Sequence, residues 1–214
     1  MKDFLKLPAY EAKKFIIIYY LIGLIGLSIP FTARYFIYII PFSILINLFF
    51  VLYYNNGKSA RFIICSILIV VLGTIAEMTG VNTGLIFGSY SYSDSVLGPR
   101  LFGTPLIIGF NWYILIYCTF VLVNKFKMPV IVRILTGGVV MVLFDILLEP
   151  VAVRLNMWNW TAGEVPAQNY AAWFFLSCAF LGIMYLGKAN VKNVISIHLL
   201  AAQFIFFAGL NLFL

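Results

Sequence analysis

The chain has 214 residues, of which 64% are hydrophobic and 10% are charged, and its mean hydropathy is +1.05. This apolar share far exceeds that of a soluble domain, so the composition excludes a soluble enzyme and indicates a polytopic membrane protein. The formal net charge is +7. The basic residues form no patch interleaved with aromatic residues, and we therefore expect no nucleic-acid partner.

Apolar runs long enough to approach the roughly 20 residues of a membrane-crossing helix fill most of the chain. In chain order they cover residues 15–33, 35–54, 61–80, 104–123, 130–148, 170–187 and 194–213. Turn residues separate the runs, and no linker or internal repeat interrupts them. The sequence predicts an all-α polytopic membrane bundle of about seven transmembrane helices, which forms a single transmembrane domain over residues 1–214.

Lys13 and Lys14 precede the first apolar run, as basic residues do in a signal peptide. We expect an uncleaved first helix instead, because this run is long and the following runs are equally apolar. Cys65, Cys118 and Cys178 all fall within predicted spans. We expect them to act as small apolar side chains rather than as disulfide partners or metal ligands.

The basic residues are distributed by loop in the pattern that the positive-inside rule describes. All but three of the 14 Lys and Arg residues fall on one side of the predicted bundle. This places the N-terminus in the cytoplasm and the C-terminus outside, and we expect the membrane to be the cytoplasmic (inner) one. The three residues on the outer side are Arg34, Arg100 and Arg154.

Three acidic residues lie at the outer ends of predicted helices. Glu77 closes the third span, while Asp145 and Glu149 close the fifth, one helical turn apart on one face. Pro150 then predicts the end of that helix. The low dielectric and the partial negative charge of a helix C-terminus disfavour ionisation there, so we expect at least one protonated carboxyl at neutral pH. Such a group can protonate a weakly basic substrate.

A structural role for these acids is the alternative, in which Arg100 or Arg154 forms ion pairs with them. The tryptophans also map to the outer half, whereas an interfacial belt would mark both faces. Their rings could stabilise a carbocation by cation–π attraction or could simply pack around an apolar pocket. These residues are Trp112, Trp158, Trp160 and Trp173.

Missing residue types restrict the chemistry further. His198 is the sole histidine and falls at the cytoplasmic start of the last span, away from the acids. This excludes a clustered-histidine di-iron centre and disfavours a histidine-centred hydrolase. No nucleotide-binding fingerprint occurs, so we expect neither a metal nor a cofactor. Gly137 and Gly138 in the fifth span predict a close helix contact.

Two blocks of residues resemble the carotenoid biosynthesis family that includes the carotenoid 1',2'-hydratases and bisanhydrobacterioruberin hydratase. The first block is Glu77-x-x-Gly80-x-x-x-Gly84-x-x-Phe87-Gly88-x-Tyr90-x-Tyr92, followed by Leu97-Gly98, Gly103-x-Pro105 and Asn111-Trp112. The second block consists of Asp145, Glu149-Pro150, Trp158-x-Trp160, Val165-Pro166, Asn169-Tyr170 and Trp173. The resemblance covers about residues 70–187.

The resemblance implies a cofactor-independent hydro-lyase that adds water to the terminal C=C of an acyclic carotenoid end group and gives a tertiary alcohol. We expect the carotenoid to arrive from the bilayer and the active site to face the outer side. In our hypothesis Asp145 donates the proton, and Glu77 or Glu149 orients the water. The expected substrate-binding residues are Tyr90, Tyr92, Asn111, Trp112, Trp158, Trp160, Asn169, Tyr170 and Trp173.

Two other functions fit the same residues. An acid-catalysed carotenoid or isoprenoid cyclase or isomerase would use the same protonated carboxyl, but would quench the cation with an internal alkene or by proton loss. A non-enzymatic membrane protein could bind or transport a lipid or an ion in the same polar cavity.

Overall fold

A computed structural model describes residues 7–56, 59–93, 97–187 and 191–214. The expected site residues all lie within these ranges. Four lysines that contribute to the charge pattern lie outside the described residues; they are Lys2, Lys6, Lys58 and Lys188.

The N-terminal third forms a helical hairpin that breaks before a proline. Helix α1 spans Ala9–Ser28 and α2 spans Pro30–Phe36. Between them Ile29 is extended, with φ −98° and ψ 117°, because the residue before a proline disfavours the helical region. A short 3-10 turn, Ile37–Ile39, leads into α3, Ile40–Tyr53. The first predicted span, 15–33, therefore combines parts of two helices.

Helix α4 spans Ala60–Thr83 and ends at Gly84, whose φ of +68° is left-handed. The next segment contains three short strands: β1 is Tyr90–Tyr92, β2 is Arg100–Leu101 and β3 is Thr104–Pro105. Helix α5 then spans Ile107–Val123. The predicted span 104–123 thus began too early, because residues 104 and 105 pair with β2 instead of joining the helix.

Helix α6 spans Val130–Arg154 and continues through Pro150, so the prediction that this proline ends the helix is wrong. The proline weakens backbone hydrogen bonding in the turn before it. A neighbouring helix contacts this turn, where Asn211 Nδ2 donates to the Leu147 carbonyl at 2.7 Å. Strand β4, Trp158–Trp160, follows, and then α7, Ala167–Leu186, and α8, Ser196–Phe213.

Helix α5 is the centre of the bundle. Its side chains from Trp112 to Val121 are all buried, and it packs against α3, α4, α6, α7 and α8. Helices α6 and α7 form the most extensive helix pair, and α1 packs along α8. The predicted all-α class is therefore confirmed.

Several helices among the described residues are long and apolar enough to cross a membrane, so this is an integral membrane protein. The segments are Pro30–Tyr53, Ala60–Thr83, Val130–Arg154, Ala167–Leu186 and Ser196–Phe213. Ile107–Val123 is apolar but shorter, and α1 carries Glu11, Lys13 and Lys14 near its start. The count of seven spans and the orientation of the termini stay predictions.

Glycines allow the helices to approach closely. A Cβ on Gly137 would lie 2.3 Å from Leu181, and one on Gly138 would lie 2.8 Å from the Cys178 sulfur. This confirms the close contact predicted for the glycine pair. Gly109 of α5 is tighter still, because its Cβ would overlap the Thr74 hydroxyl and lie 2.6 Å from the backbone oxygen of Val70, both on α4.

We expect Gly109→Ala to lower the free energy of unfolding by about 1–3 kcal/mol, because the backbone of α4 must shift to admit the methyl group. Gly182→Ala is the matched control, since its Cβ would meet nothing within 4 Å and alanine favours a helix. Thermal unfolding in detergent should show a lower midpoint for the first variant alone. Equal midpoints would contradict the close packing of α4 and α5.

Candidate active site

A cavity of about 310 Å³ lies within the bundle. Most of its wall is apolar, and its polar groups are concentrated where α4 and α6 end, which we call the acid end. The wall at the acid end consists of Glu77, Tyr90, Tyr92, Asn111, Trp112, Glu149, Trp158, Trp160, Asn169 and Trp173. A mostly apolar cavity with a few convergent polar groups is the usual form of a small-molecule site.

The acid end is built by a pairing between two loops. Strand β1 from the α4–α5 loop pairs antiparallel with β4 from the α6–α7 loop, with Tyr90 opposite Trp160 and Tyr92 opposite Trp158. Side chains alternate along a strand, so these four aromatic residues share the buried face. The residues between them, Ser91 and Asn159, are exposed.

Glu77 accepts hydrogen bonds on both carboxyl oxygens. The hydroxyls of Tyr90 and Tyr92 donate to Oε2 at 2.6 and 2.8 Å, and Trp112 Nε1 donates to Oε1 at 2.8 Å. The Glu77 residue is 5% exposed. Because all three partners act as donors, the arrangement fits a carboxylate at this position.

Both tyrosines keep their protons. Burial raises the pKa of Tyr90 and the pKa of Tyr92 well above the ordinary value of a phenol, and the negative charge of Glu77 is the second cause. The two hydroxyls therefore remain donors to Glu77 throughout the physiological pH range.

Glu149 has a different hydrogen-bonding pattern. Both indole N–H groups of β4 donate to its Oε2, Trp158 at 3.0 Å and Trp160 at 2.8 Å. An indole N–H can only donate, so any proton on this carboxyl must sit on Oε1. That oxygen accepts no hydrogen bond from the described residues, and the residue lines the cavity.

Asp145 lies one turn before Glu149 on α6 and is completely buried. Asn169 Nδ2 of α7 donates to its Oδ2 at 2.6 Å, and within the described part of the chain Oδ1 has no hydrogen-bond partner. Asp145 is not among the residues that line the cavity, whereas Asn169 is. The aspartate therefore lies behind the asparagine.

All four tryptophans of the chain line the cavity. Trp112 and Trp173 face each other with ring centroids 4.3 Å apart and planes inclined by 31°. The Trp158 and Trp160 rings pack against Tyr92 and Tyr90. The carboxyls thus lie among aromatic rings, which can contact a hydrocarbon and can also attract a cation.

The alternative of structural ion pairs has no support in the geometry. Neither Arg100 nor Arg154 forms an ion pair with the three acids; the ion pair found within the described ranges joins Lys14 to Glu11. Arg100 Nη1 donates to the Tyr92 carbonyl at 3.1 Å, and Arg154 is exposed. Hydrogen bonds from uncharged donors, instead of ion pairs, offset the free-energy cost of burying the acids.

Most of the site residues expected from the sequence do meet in one place. Besides Asp145, Tyr170 of α7 is the expected site residue that does not line the cavity. Sequence reasoning missed a second polar part of the wall, where Tyr20, Asn47 and Gln203 line the same cavity. The two amide residues could have been found from the sequence, because amide side chains are rare within long apolar helices.

Comparison with known proteins identifies the family of this chain. The carotenoid biosynthesis protein family matches residues 34–214. The chain belongs to this family. The match extends beyond the stretch of about 70–187 in which the resemblance was seen, and it includes all three acids. Membership supports a function in carotenoid modification.

A curated relative is bisanhydrobacterioruberin hydratase from Haloarcula japonica. The two sequences are 32% identical over 108 residues, which is 45% of this chain and 36% of the relative. The match thus spans about a third of the relative's length. No solved structure gives a significant match to this chain.

The tyrosine donors generate a prediction about stability. We expect Tyr90→Phe to lower the free energy of unfolding by about 1–3 kcal/mol, because it leaves a buried carboxyl oxygen with one donor fewer. In a Glu77→Gln background the same change should cost less, since the charged acceptor is gone. Chemical unfolding in detergent measures both effects.

The exposed Tyr38 is the control for this cycle, and Tyr38→Phe should leave the unfolding free energy within about 0.5 kcal/mol of the starting value. Equal costs for Tyr90→Phe in both backgrounds would show that the phenol and the carboxyl are not coupled.

Proposed function

We propose that the protein is a carotenoid hydratase, which adds water to the terminal C=C of an acyclic carotenoid end group and produces a tertiary alcohol. The observation that carries the proposal is a pair of cavity-lining carboxyls with different hydrogen-bond patterns at one end of an apolar cavity. The name of the Haloarcula relative supports the same reaction.

In this proposal Glu149 donates the proton. Its Oε2 is occupied by two indole donors, which leaves Oε1 to carry the proton, and the residue lines the cavity. Transfer to the less substituted alkene carbon breaks the π bond and leaves a tertiary cation on the neighbouring carbon. This assignment differs from the hypothesis based on sequence, which gave the donor role to Asp145.

Glu77 acts in the second half of the reaction. Its negative charge, together with the faces of Trp112 and Trp173, lowers the free energy of the cation. The oxygen of a water molecule then bonds to the cationic carbon, and the water gives up a proton to the Glu77 carboxylate. Proton return from Glu77 to Glu149 through water restores the starting state, and the net change is the addition of one water.

Asp145 is a positioning residue in this mechanism. It holds the Asn169 amide nitrogen at 2.6 Å, which turns the Asn169 carbonyl oxygen away from Asp145. That oxygen can accept a hydrogen bond from the attacking water. Asn111 supplies a second amide on the same wall.

The shape of the cavity suits a lipid-soluble substrate that enters sideways. About 310 Å³ lies at the small end of the range for ligand pockets, so the cavity suits an end group better than a whole carotenoid. The cavity reaches the surface between α1 and the 3-10 turn before α3, where the lining residues Ile22 and Ile39 are 54% and 44% exposed. The polyene would extend from there into the bilayer, and water would reach the acid end from the outer face of the inner membrane.

Expression in cells that accumulate lycopene or γ-carotene tests the reaction. We expect pigments that gain one water for each acyclic end, with the oxygen derived from labelled water. Glu149→Gln should lower the yield by roughly 10²–10⁴-fold, the contribution of a general acid. Glu77→Gln should also impair turnover, and Asp145→Asn should retain more activity than Glu149→Gln.

Glu164→Gln is the matched control, because Glu164 is an exposed acid in the α6–α7 loop; its pigments should equal those of the unaltered protein. Products of unchanged mass would favour a cyclase or isomerase. Full activity in all three acid variants would refute the mechanism, and tight carotenoid binding without turnover would favour a binding protein.

A further inference from the structure

A second polar cluster lines the cavity away from the acid end. It brings together Tyr20 of α1, Asn47 of α3 and Gln203 of α8. Asn47 Nδ2 donates to the Tyr20 hydroxyl oxygen at 2.7 Å, and the Gln203 amide lies beside the same hydroxyl. Three helices thus converge on one phenol in the middle of the bundle.

Gln203 is incompletely satisfied by the protein. The residue is 4% exposed, and its Oε1 is buried without a hydrogen-bond partner among the residues that the structure describes. A buried polar atom left unpaired costs free energy, and native proteins seldom retain one without a partner or a purpose. An unpaired acceptor on a residue that lines a cavity indicates an occupant that donates once the amide turns toward it.

The cluster lies about two to three helical turns from the C-terminal end of α8, on the side of the cavity away from the end of α6. Asn211 of α8 contacts the Leu147 carbonyl on α6, two positions before Glu149, whereas Phe204, next to Gln203, packs on the Phe144 ring one turn earlier on α6. Gln203 lies eight positions before Asn211 on the same helix, and a helix rises 1.5 Å per residue, so the separation along the axis is about 12 Å. Phe207, which also lines the cavity, lies between these levels.

We propose that Tyr20, Asn47 and Gln203 form a hydroxyl-binding subsite for the lipid ligand. A ligand hydroxyl would donate to Gln203 Oε1 and accept from the Tyr20 O–H, which the Asn47 amide holds in place from behind. One alcohol group satisfies both needs, because a hydroxyl is donor and acceptor at once. A carbonyl or an ether accepts only and would leave Gln203 unpaired.

The proposed subsite indicates a substrate class. It would select an unsaturated isoprenoid with a hydroxyl about 12 Å from the double bond at the acids. An extended chain covers about 3.3–3.6 Å in three bonds, so roughly ten bonds separate the two groups. The inference rests on the proposed function in one respect, that the ligand is an isoprenoid chain with its alkene at the acid end. It does not require that the reaction be a hydration.

Direct binding tests the subsite without turnover. The probe is farnesol, an isoprenoid alcohol whose hydroxyl and terminal double bond lie roughly this far apart, and the reference is its hydrocarbon analogue without the hydroxyl. Quenching or shift of tryptophan fluorescence reports binding, because all four tryptophans line the cavity. We expect the purified full chain in detergent to bind farnesol at least about tenfold more tightly than the hydrocarbon.

Gln203→Leu should reduce this preference to about onefold while hydrocarbon binding remains. Tyr20→Phe removes the donor and provides a second variant if the first does not fold; it should reduce the preference several-fold. Tyr38→Phe makes the same change as Tyr20→Phe on an exposed tyrosine outside the cavity and should keep the full preference.

Equal affinity of the unaltered protein for alcohol and hydrocarbon would overturn the proposal and leave the cluster as the site of a bound water only. A preference that survives both Gln203→Leu and Tyr20→Phe would overturn it as well. Failure of the hydration assay does not affect this outcome, because Glu149→Gln protein should still discriminate between the two probes.

Discussion

The antiparallel pairing of β1 with β4 is the constraint on which the candidate site depends. It joins loops that are more than 60 positions apart in the chain, and its register directs Tyr90, Tyr92, Trp158 and Trp160 inward together. Without this pairing Glu77 would lose two of its donors and Glu149 would lose both. The helices bring the carboxyls into the bundle, but the strand pair determines what surrounds them.

The choice of aromatic donors resolves a conflict between two requirements. A carboxyl buried among apolar residues needs hydrogen bonds, since an unpaired one is costly. Arginine or lysine would supply them, but a full positive charge would repel the carbocation of the proposed reaction and hold the carboxyl ionised. Phenol and indole groups donate without a net charge, and their rings remain available to contact a hydrocarbon. The five donors to Glu77 and Glu149 are all of this kind.

The sequence predicts the helical class well and the loops poorly, for physical reasons. Hydropathy reports which residues prefer lipid, so most spans were located within a few residues, and errors arose at Pro30 and Pro150 where neighbouring residues decide whether a helix continues. The alternation of Tyr90 with Tyr92 and of Trp158 with Trp160 is visible in the sequence, but their partnership is a long-range contact. The position of Asp145 behind Asn169 depends on the rotation of α6, which spacing along the chain does not determine.

The division of the cavity into two polar parts has a consequence for specificity. Apolar walls alone discriminate weakly between hydrocarbon chains, because one methylene contributes only about 1–3 kcal/mol. Proton transfer at the acid end can select an alkene by its reactivity, but not by the rest of the molecule. Gln203 Oε1 has no partner among the described residues and lies about 12 Å along α8 from the level of Asn211. In the proposed reaction it would select for chain length as well as polarity, since a hydroxyl must reach it while the alkene reaches Glu149. Such a distance requirement would distinguish chains that the rings around the acids contact equally well.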